Sequence, residues 1–159
     1  MERISQTMND PVMLEIFWER CISIVDEAAD TLVRAAFSTV ARESNDFGCA
    51  VCDSDGTGIG YTTKGTPRMS IILPRTIRAI IEKIPADTLQ DGDVLFTNDP
   101  WFGSGHLPDF YVTMPIFRDG RVVGFAGACS HVADVGGSTV PDARQVYEEG
   151  ICFPPVKLF

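Results

Sequence analysis

From Val12 to about Phe37 the apolar residues Leu14, Phe17, Trp18, Cys21, Ile24, Val25, Ala28, Leu32 and Ala36 recur at steps of three and four. That spacing gathers them on one face of a helix, so the pattern predicts a long amphipathic helix. Asp10 and Pro11 supply its start: a side chain that can cap free N–H groups, then proline at the first helical position. "ESND" (43–46) reads as its end. The periodicity then shortens. "FGCAVCD" (47–53) reads as a strand, "DSDGTG" (53–58) as a hairpin turn and "IGYTT" (59–63) as the returning strand. A second helix is predicted over "LPRTIRAIIEKI" (73–84), with Ile77, Ile80, Ile81 and Ile84 on one side, and a buried strand over "GDVLFTND" (92–99). "DFYVTMPIF", "RDG" and "RVVGFAGACS" (109–130) form a hairpin signal. Its second strand is apolar on both faces and belongs in the middle of a sheet. The expected class is α+β: a mostly antiparallel sheet packed with a long N-terminal helix and a second, shorter one.

Composition narrows the partners. A chain of 159 residues can build one core, and a net charge of −9 opposes nucleic-acid backbones, so no nucleic-acid role is expected. Glu15, Glu19, Arg20, Asp26 and Glu27 interrupt the first helix, which argues against a membrane span. "MERISQTMND" lacks the basic-then-apolar pattern of a leader, and five cysteines is an odd count. Reduced thiols and a cytoplasmic location are the expectation. The chain stops at "ICFPPVKLF", an apolar run with no polar tail or cap. This predicts a fragment of a larger fold, self-associating or binding a partner through residues 151–159.

The candidate chemistry lies in the histidines. There are only two, His106 in "FGSGHLPD" and His131 in "SHVADVGG", and each has an aspartate three residues on: Asp109 and Asp134. Imidazole with carboxylate suits a divalent transition metal, with open positions for water or substrate; the alternative is two ordinary histidines at strand ends. The hairpin loop decides whether they can cooperate. A two-residue loop pairs Asp109 with Ser130 and puts Asp109 and His131 on opposite faces. A three-residue loop with Gly120 left-handed pairs Asp109 with Cys129 and puts them on one face. Both loops suit the sequence. The flanking glycines either let a ligand approach the backbone or merely turn the chain. Cys49 and Cys52 lie three apart, hence on opposite faces of a strand, and read as small core residues. "DSDG" is too short for a calcium loop. Asp46, just before a strand, reads as a loop acid, and Glu148 with Glu149 as a solvated pair.

The runs "DPVMLEIFWERCISIVDEAADTLVRAAFSTVARESNDFGCAVCDSDG", "GDVLFTNDPWFGSGHLPD", "SHVADVGG" and "YEEGICFPPVKL" closely resemble the start of the hydantoinase B/oxoprolinase family, in order from Asp10 to Phe159. The N-D-P-x-x-G-x-x-H-L-x-D run is its most specific part. Members include subunits of N-methylhydantoinase, caprolactamase and the acetone and acetophenone carboxylases, and one half of 5-oxoprolinase. The resemblance implies a B-type subunit that carries a metal centre beside the substrate. Its A-type partner subunit binds ATP and phosphorylates a substrate oxygen. Matched motif to motif, the ligands fall on His106, Asp109 and His131, with Asp46 a further candidate and Asp134 in a supporting position behind the ligands. The implied cofactor is a divalent metal (Zn, Mn or Fe). The implied reaction is ATP-dependent ring opening of a cyclic amide, a hydantoin or lactam. The alternatives are ATP-dependent carboxylation of a ketone, or an inactive truncated binding piece. Family members run to several hundred residues, so residues 1–159 match their N-terminal portion. The chain departs from many of them at "KGTPRMSIILP", where they carry P-H-x-G.

Overall fold

The computed structural model describes residues 10–138 and 142–159. The N-terminal stretch read above for a leader therefore lies outside the described residues, apart from Asp10. Helix α1 spans Pro11–Ala35 and starts as the sequence predicts: Pro11 takes the first position and Asp10 Oδ1 accepts the Val12 N–H at 3.0 Å. It ends sooner than expected. Ala36 turns extended, Phe37 is fully exposed, and Ser38 opens a short separate helix, α2 (Thr39–Glu43). The break bends the chain back toward the sheet, burying Ala41. Asn45 then takes a left-handed φ of 52°, which asparagine tolerates, and Asp46 arrives at the first strand.

That strand, β1 (Phe47–Asp53), joins β2 (Gly58–Tyr61), β3 (Leu95–Thr97), β4 (Asp109–Arg118), β5 (Arg121–His131) and β6 (Val156–Lys157). The six form one sheet in the order β2-β1-β5-β4-β3-β6, with every neighbouring pair antiparallel. β5 lies inside the sheet, as its two apolar faces require. The fold is α+β, with three α-helices among the described residues.

Helix α3 (Pro67–Lys83) covers one face. It starts before the predicted Leu73: Pro67, not Pro74, takes the first helical position, where the missing N–H costs nothing. Pro74 sits inside the helix and is buried. Met69, Leu73, Ile77 and Ile80 are fully buried, packing in two clusters with Ala50, Cys52, Leu95, Tyr111, Phe125 and Cys129. At about 1.5–3 kcal/mol for each such side chain, this is the main fastening of the sheet.

Helix α1 lies on the other face. Val25 and Ala29 pack with Phe47 and Cys49, and Leu32, Val33, Val51 and Ala128 close the cluster. Cys49 and Cys52 thus serve opposite faces, as their spacing predicts. The apolar stripe of the helix thus packs on the sheet that includes the β4–β5 hairpin. It covers β2 and β1 and reaches β5 at Ala128, but leaves β4 open: Val112, Met114 and Ile116 stay partly exposed, as does Val123. Only Cys21, Val25 and Ala29 of α1 are buried. Phe17 and Trp18 remain about half exposed, and Trp18 Nε1 donates to Ile59 O at 2.9 Å. Ile151, Leu158 and Phe159 are also exposed, the apolar surface anticipated near the end of the sequence. No helix among the described residues is long and apolar enough to cross a membrane.

Candidate metal centre

The hairpin follows neither of the two loop registers the sequence offered but a third. Arg118 pairs with Arg121, so the loop is the two residues Asp119 and Gly120, both left-handed at φ 51° and 73°. This loop alone would set Asp109 opposite Ser130. Farther along, however, Phe117 pairs with Val122 and Ile116 with Gly124, so Val123 is an extra residue, a β-bulge. The bulge moves the register by one. Asp109 and His131 become direct cross-strand partners and therefore share a face.

His106 reaches the same point from the glycine loop. Ligand-capable atoms of His106, Asp109 and His131 all lie within 4.8 Å of one another, and the two imidazoles stack with centroids 5.1 Å apart. His131 Nδ1 is 3.0 Å from Asp109 Oδ1. Asp109 is completely buried, and the Ser104 hydroxyl donates to its Oδ2. Asp46 stands at the rim. Its backbone carbonyl accepts the His131 N–H at 3.0 Å, its Oδ2 is 3.9 Å from His131 Nδ1, and its Oδ1 accepts the Thr66 hydroxyl at 3.2 Å. The donor set of two imidazoles and a buried carboxylate suits Zn, Mn or Fe.

Burial pushes the Asp109 carboxyl up. Hydrogen bonds from His131 and Ser104, with the nearby imidazoles, outweigh it and hold the group below the ordinary carboxylate range. His131 is raised by the Asp109 hydrogen bond, against the opposing pull of its own burial. At neutral pH Asp109 is therefore an acceptor with a charge to be balanced.

Two carboxylates depart from their expected places. Asp134 does not orient an imidazole: its Oδ1 accepts the Gly136 N–H at 2.6 Å, closing a local turn, and it is exposed. Glu149, read as solvated, folds inward. Its Oε2 lies 3.0 Å from His106 Nδ1 and accepts the Leu107 N–H at 2.8 Å. The sequence signal for it was weak: an acid followed by glycine, forty-odd residues from the histidine it meets.

The flanking glycines shape the chain around the cluster. Gly105 turns at φ 90°, and a Cβ on Gly103 would strike the Tyr111 ring. Gly136 pairs with Gly150 in an isolated bridge. A Cβ on Gly137 would collide with the Glu149 carbonyl carbon, and one on Gly150 with the Val135 carbonyl oxygen. These glycines let the 148–151 segment press against "DVGG" and so place Glu149. Outside the cluster, a groove of about 640 Å³ runs from His131 along Leu32, Ala35, Ala36, Phe37 and Val132.

A family model described as hydantoinase B/oxoprolinase matches residues 10–159. A putative B-type D-/L-hydantoinase subunit of Pseudomonas sp. is 32% identical over 157 residues, covering 94% of this chain and 26% of that protein. 5-Oxoprolinase 1 of Arabidopsis thaliana is 34% identical over 160 residues, covering 98% of this chain and 12% of its own length. The chain thus spans about a quarter of the first relative and about an eighth of the second. A nucleotide-free acetone carboxylase structure superposes with a TM-score of 0.83 at 20% identity, over 98% of this chain and 21% of the other; that likeness shows the shared fold.

Proposed function

The chain belongs to the hydantoinase B/oxoprolinase family, and from that membership and the geometry we propose that it is the metal-site portion of a B-type subunit in an ATP-dependent cyclic-amide hydrolase. The observation that carries the reading is the convergence of His106, Asp109 and His131 onto one point, from the glycine loop and from two strands. His106, Asp109 and His131 hold a divalent metal (Zn, Mn or Fe), and Asp46 is a fourth donor from the rim. Such an ion supplies Lewis acidity, lowering the pKa of a bound water or polarising a substrate oxygen. The chain's own residues do the arranging. Asp109 brings buried negative charge and fixes the His131 ring through Nδ1. Ser104 holds the other Asp109 oxygen, and the Asp46 carbonyl pins the His131 backbone. The groove beside His131 has room and apolar wall for a small lactam or hydantoin. ATP is bound by an A-type partner subunit, which phosphorylates the substrate oxygen.

The direct test is elemental analysis of wild type and His131→Ala after loading with Zn, Mn or Fe and desalting. About one ion per chain is expected for wild type and a small fraction of that for the variant. A wild type that retains none sinks the metal reading. The reaction is then assayed with the A-type partner and ATP, on a hydantoin or lactam, and separately on a ketone with bicarbonate. Turnover of the ketone alone overturns the hydrolase assignment.

A further inference from the structure

We propose that Thr66 is the positioning residue for Asp46: its hydroxyl holds one carboxylate oxygen and leaves the other facing His131. The proposal rests on the metal reading above, in which Asp46 is the rim donor. Its own grounds are separate. The Asp46 backbone is fixed on both sides, since its N–H donates to Val40 O at 3.4 Å and its carbonyl accepts the His131 N–H at 3.0 Å. What stays free is the direction of the side chain. Among the described residues the one hydrogen bond to that carboxylate comes from Thr66, whose Oγ1 lies 3.2 Å from Oδ1. Oδ2 is then the oxygen toward the cluster, 3.9 Å from His131 Nδ1. The hydroxyl has a single proton, and its other acceptor within reach is Asn45 O at 3.1 Å, in the same turn. Either bond holds the turn that delivers Asp46, and the carboxylate oxygen is the stronger acceptor of the two.

Thr66 stands where another use of its side chain was open. It is the N-cap of α3, where a threonine hydroxyl ordinarily accepts an N–H of the first turn, and here it makes no such bond. The hydroxyl is turned instead to Asn45 and Asp46. A capping bond is given up for a contact at the site, the kind of local departure that functional positions show. The loop that carries Thr66 is itself fastened. Asp26 of α1 accepts the Thr62 hydroxyl at 2.6 Å, and both the Thr63 N–H and the Thr63 hydroxyl at 2.7 Å. Lys64 Nζ pairs with Asp30 at 2.5 Å. Gly65, left-handed at φ 76°, lies so close to Phe47 O that a Cβ would collide with it, and Thr66 N donates to the same oxygen at 2.9 Å. The acids of α1 thus hold the 62–66 loop, and the loop holds Asp46.

The test is a double-mutant cycle read as Zn affinity, by competition with a chromophoric chelator using Zn alone. Thr66→Val removes the hydroxyl at nearly the same volume and should weaken binding about 10–100-fold. Thr66→Ser keeps the hydroxyl and should stay close to wild type. Asp46→Ala should weaken binding by itself, and in that background Thr66→Val should cost nothing further. A merely structural role would cost the same with and without Asp46. Thr66→Ala repeats the measurement without the branched side chain, should valine disturb the loop. A wild type that binds Zn while both variants lacking the hydroxyl match it overturns the proposal alone, as does an equal loss in the Asp46→Ala background. A wild type that binds no Zn refutes the metal reading and takes this proposal with it.

Discussion

Asn98→Ala tests what holds the site together. Asn98 is completely buried at the end of β3. Its Nδ2 donates to Leu107 O at 2.9 Å and to Ile151 O at 2.8 Å, while its Oδ1 accepts the Phe153 N–H at 2.6 Å. One side chain thus joins β3, the glycine loop that carries His106, and the segment that carries Glu149. Alanine removes three hydrogen bonds, each worth about 0.5–1.5 kcal/mol net, and leaves the buried Leu107 carbonyl without its partner, at a further cost of about 1–3 kcal/mol. The expected loss is about 3–5 kcal/mol, a large part of a domain stability of about 5–15 kcal/mol. Urea unfolding followed by tryptophan fluorescence should show a lower midpoint at unchanged slope, with the melting temperature down on the order of 10 °C. Asn98→Asp is the partner variant. It keeps the acceptor for Phe153 but cannot donate to Leu107 and Ile151, and it buries a charge, so it should be no better than alanine. A destabilisation below about 1 kcal/mol for Asn98→Ala would refute the view that this amide fastens the two site-bearing segments.

Two further outcomes follow from the same structure. Gly137→Ala drives a methyl into the Glu149 carbonyl carbon; the overpacking should lower stability by about 1–3 kcal/mol, and an unchanged urea midpoint would count against the close approach of the two segments. Burial pushes the Cys49 and Cys52 thiols up to about 11 and Cys129 higher still. With thiolate scarce, an aromatic disulfide reagent at about pH 8 should modify the half-buried Cys152 first and the others only on unfolding; fast reaction of Cys49 or Cys52 in the folded protein would contradict that.

The fold was legible where pattern and physics act locally. Asp10 and Pro11 mark the start of α1 because capping depends on adjacent residues alone, and the double-faced apolarity of "RVVGFAGACS" marks an interior strand. It was less legible where a choice is settled by the rest of the molecule. Proline suits a first helical turn, and the chain offers two, Pro67 and Pro74. Met69 and Ser70 lie between them and are buried against the sheet, so the earlier proline wins. The apolar spacing of α1 continues past Ala35, yet the helix stops there. Nothing in the periodicity encodes the turn that Asn45 completes to bring Asp46 beside β5.

The site shows the same division at the scale of single side chains. Proximity of Asp109 to His131 follows from any tight hairpin at Arg118–Arg121, so the sequence was sufficient to bring the two strands together. Whether the side chains face each other depends on an odd or even count of residues, and a bulge at Val123 changes that count without any glycine or proline at the position to announce it. Glu149 is a harder case, because its partner is set by a loop, a glycine contact and a buried amide acting together. The aspartates three residues after each histidine look equivalent in sequence and are not. Asp109 is the first residue of a paired strand, with its side chain turned into the protein. Asp134 follows the end of its strand, where a turn N–H is nearer than any imidazole. Matched spacing therefore singled out two histidines that meet, while the strand boundary decided which carboxylate joined them. The carboxylate beside His106 came instead from a segment whose spacing to it carries no local pattern at all.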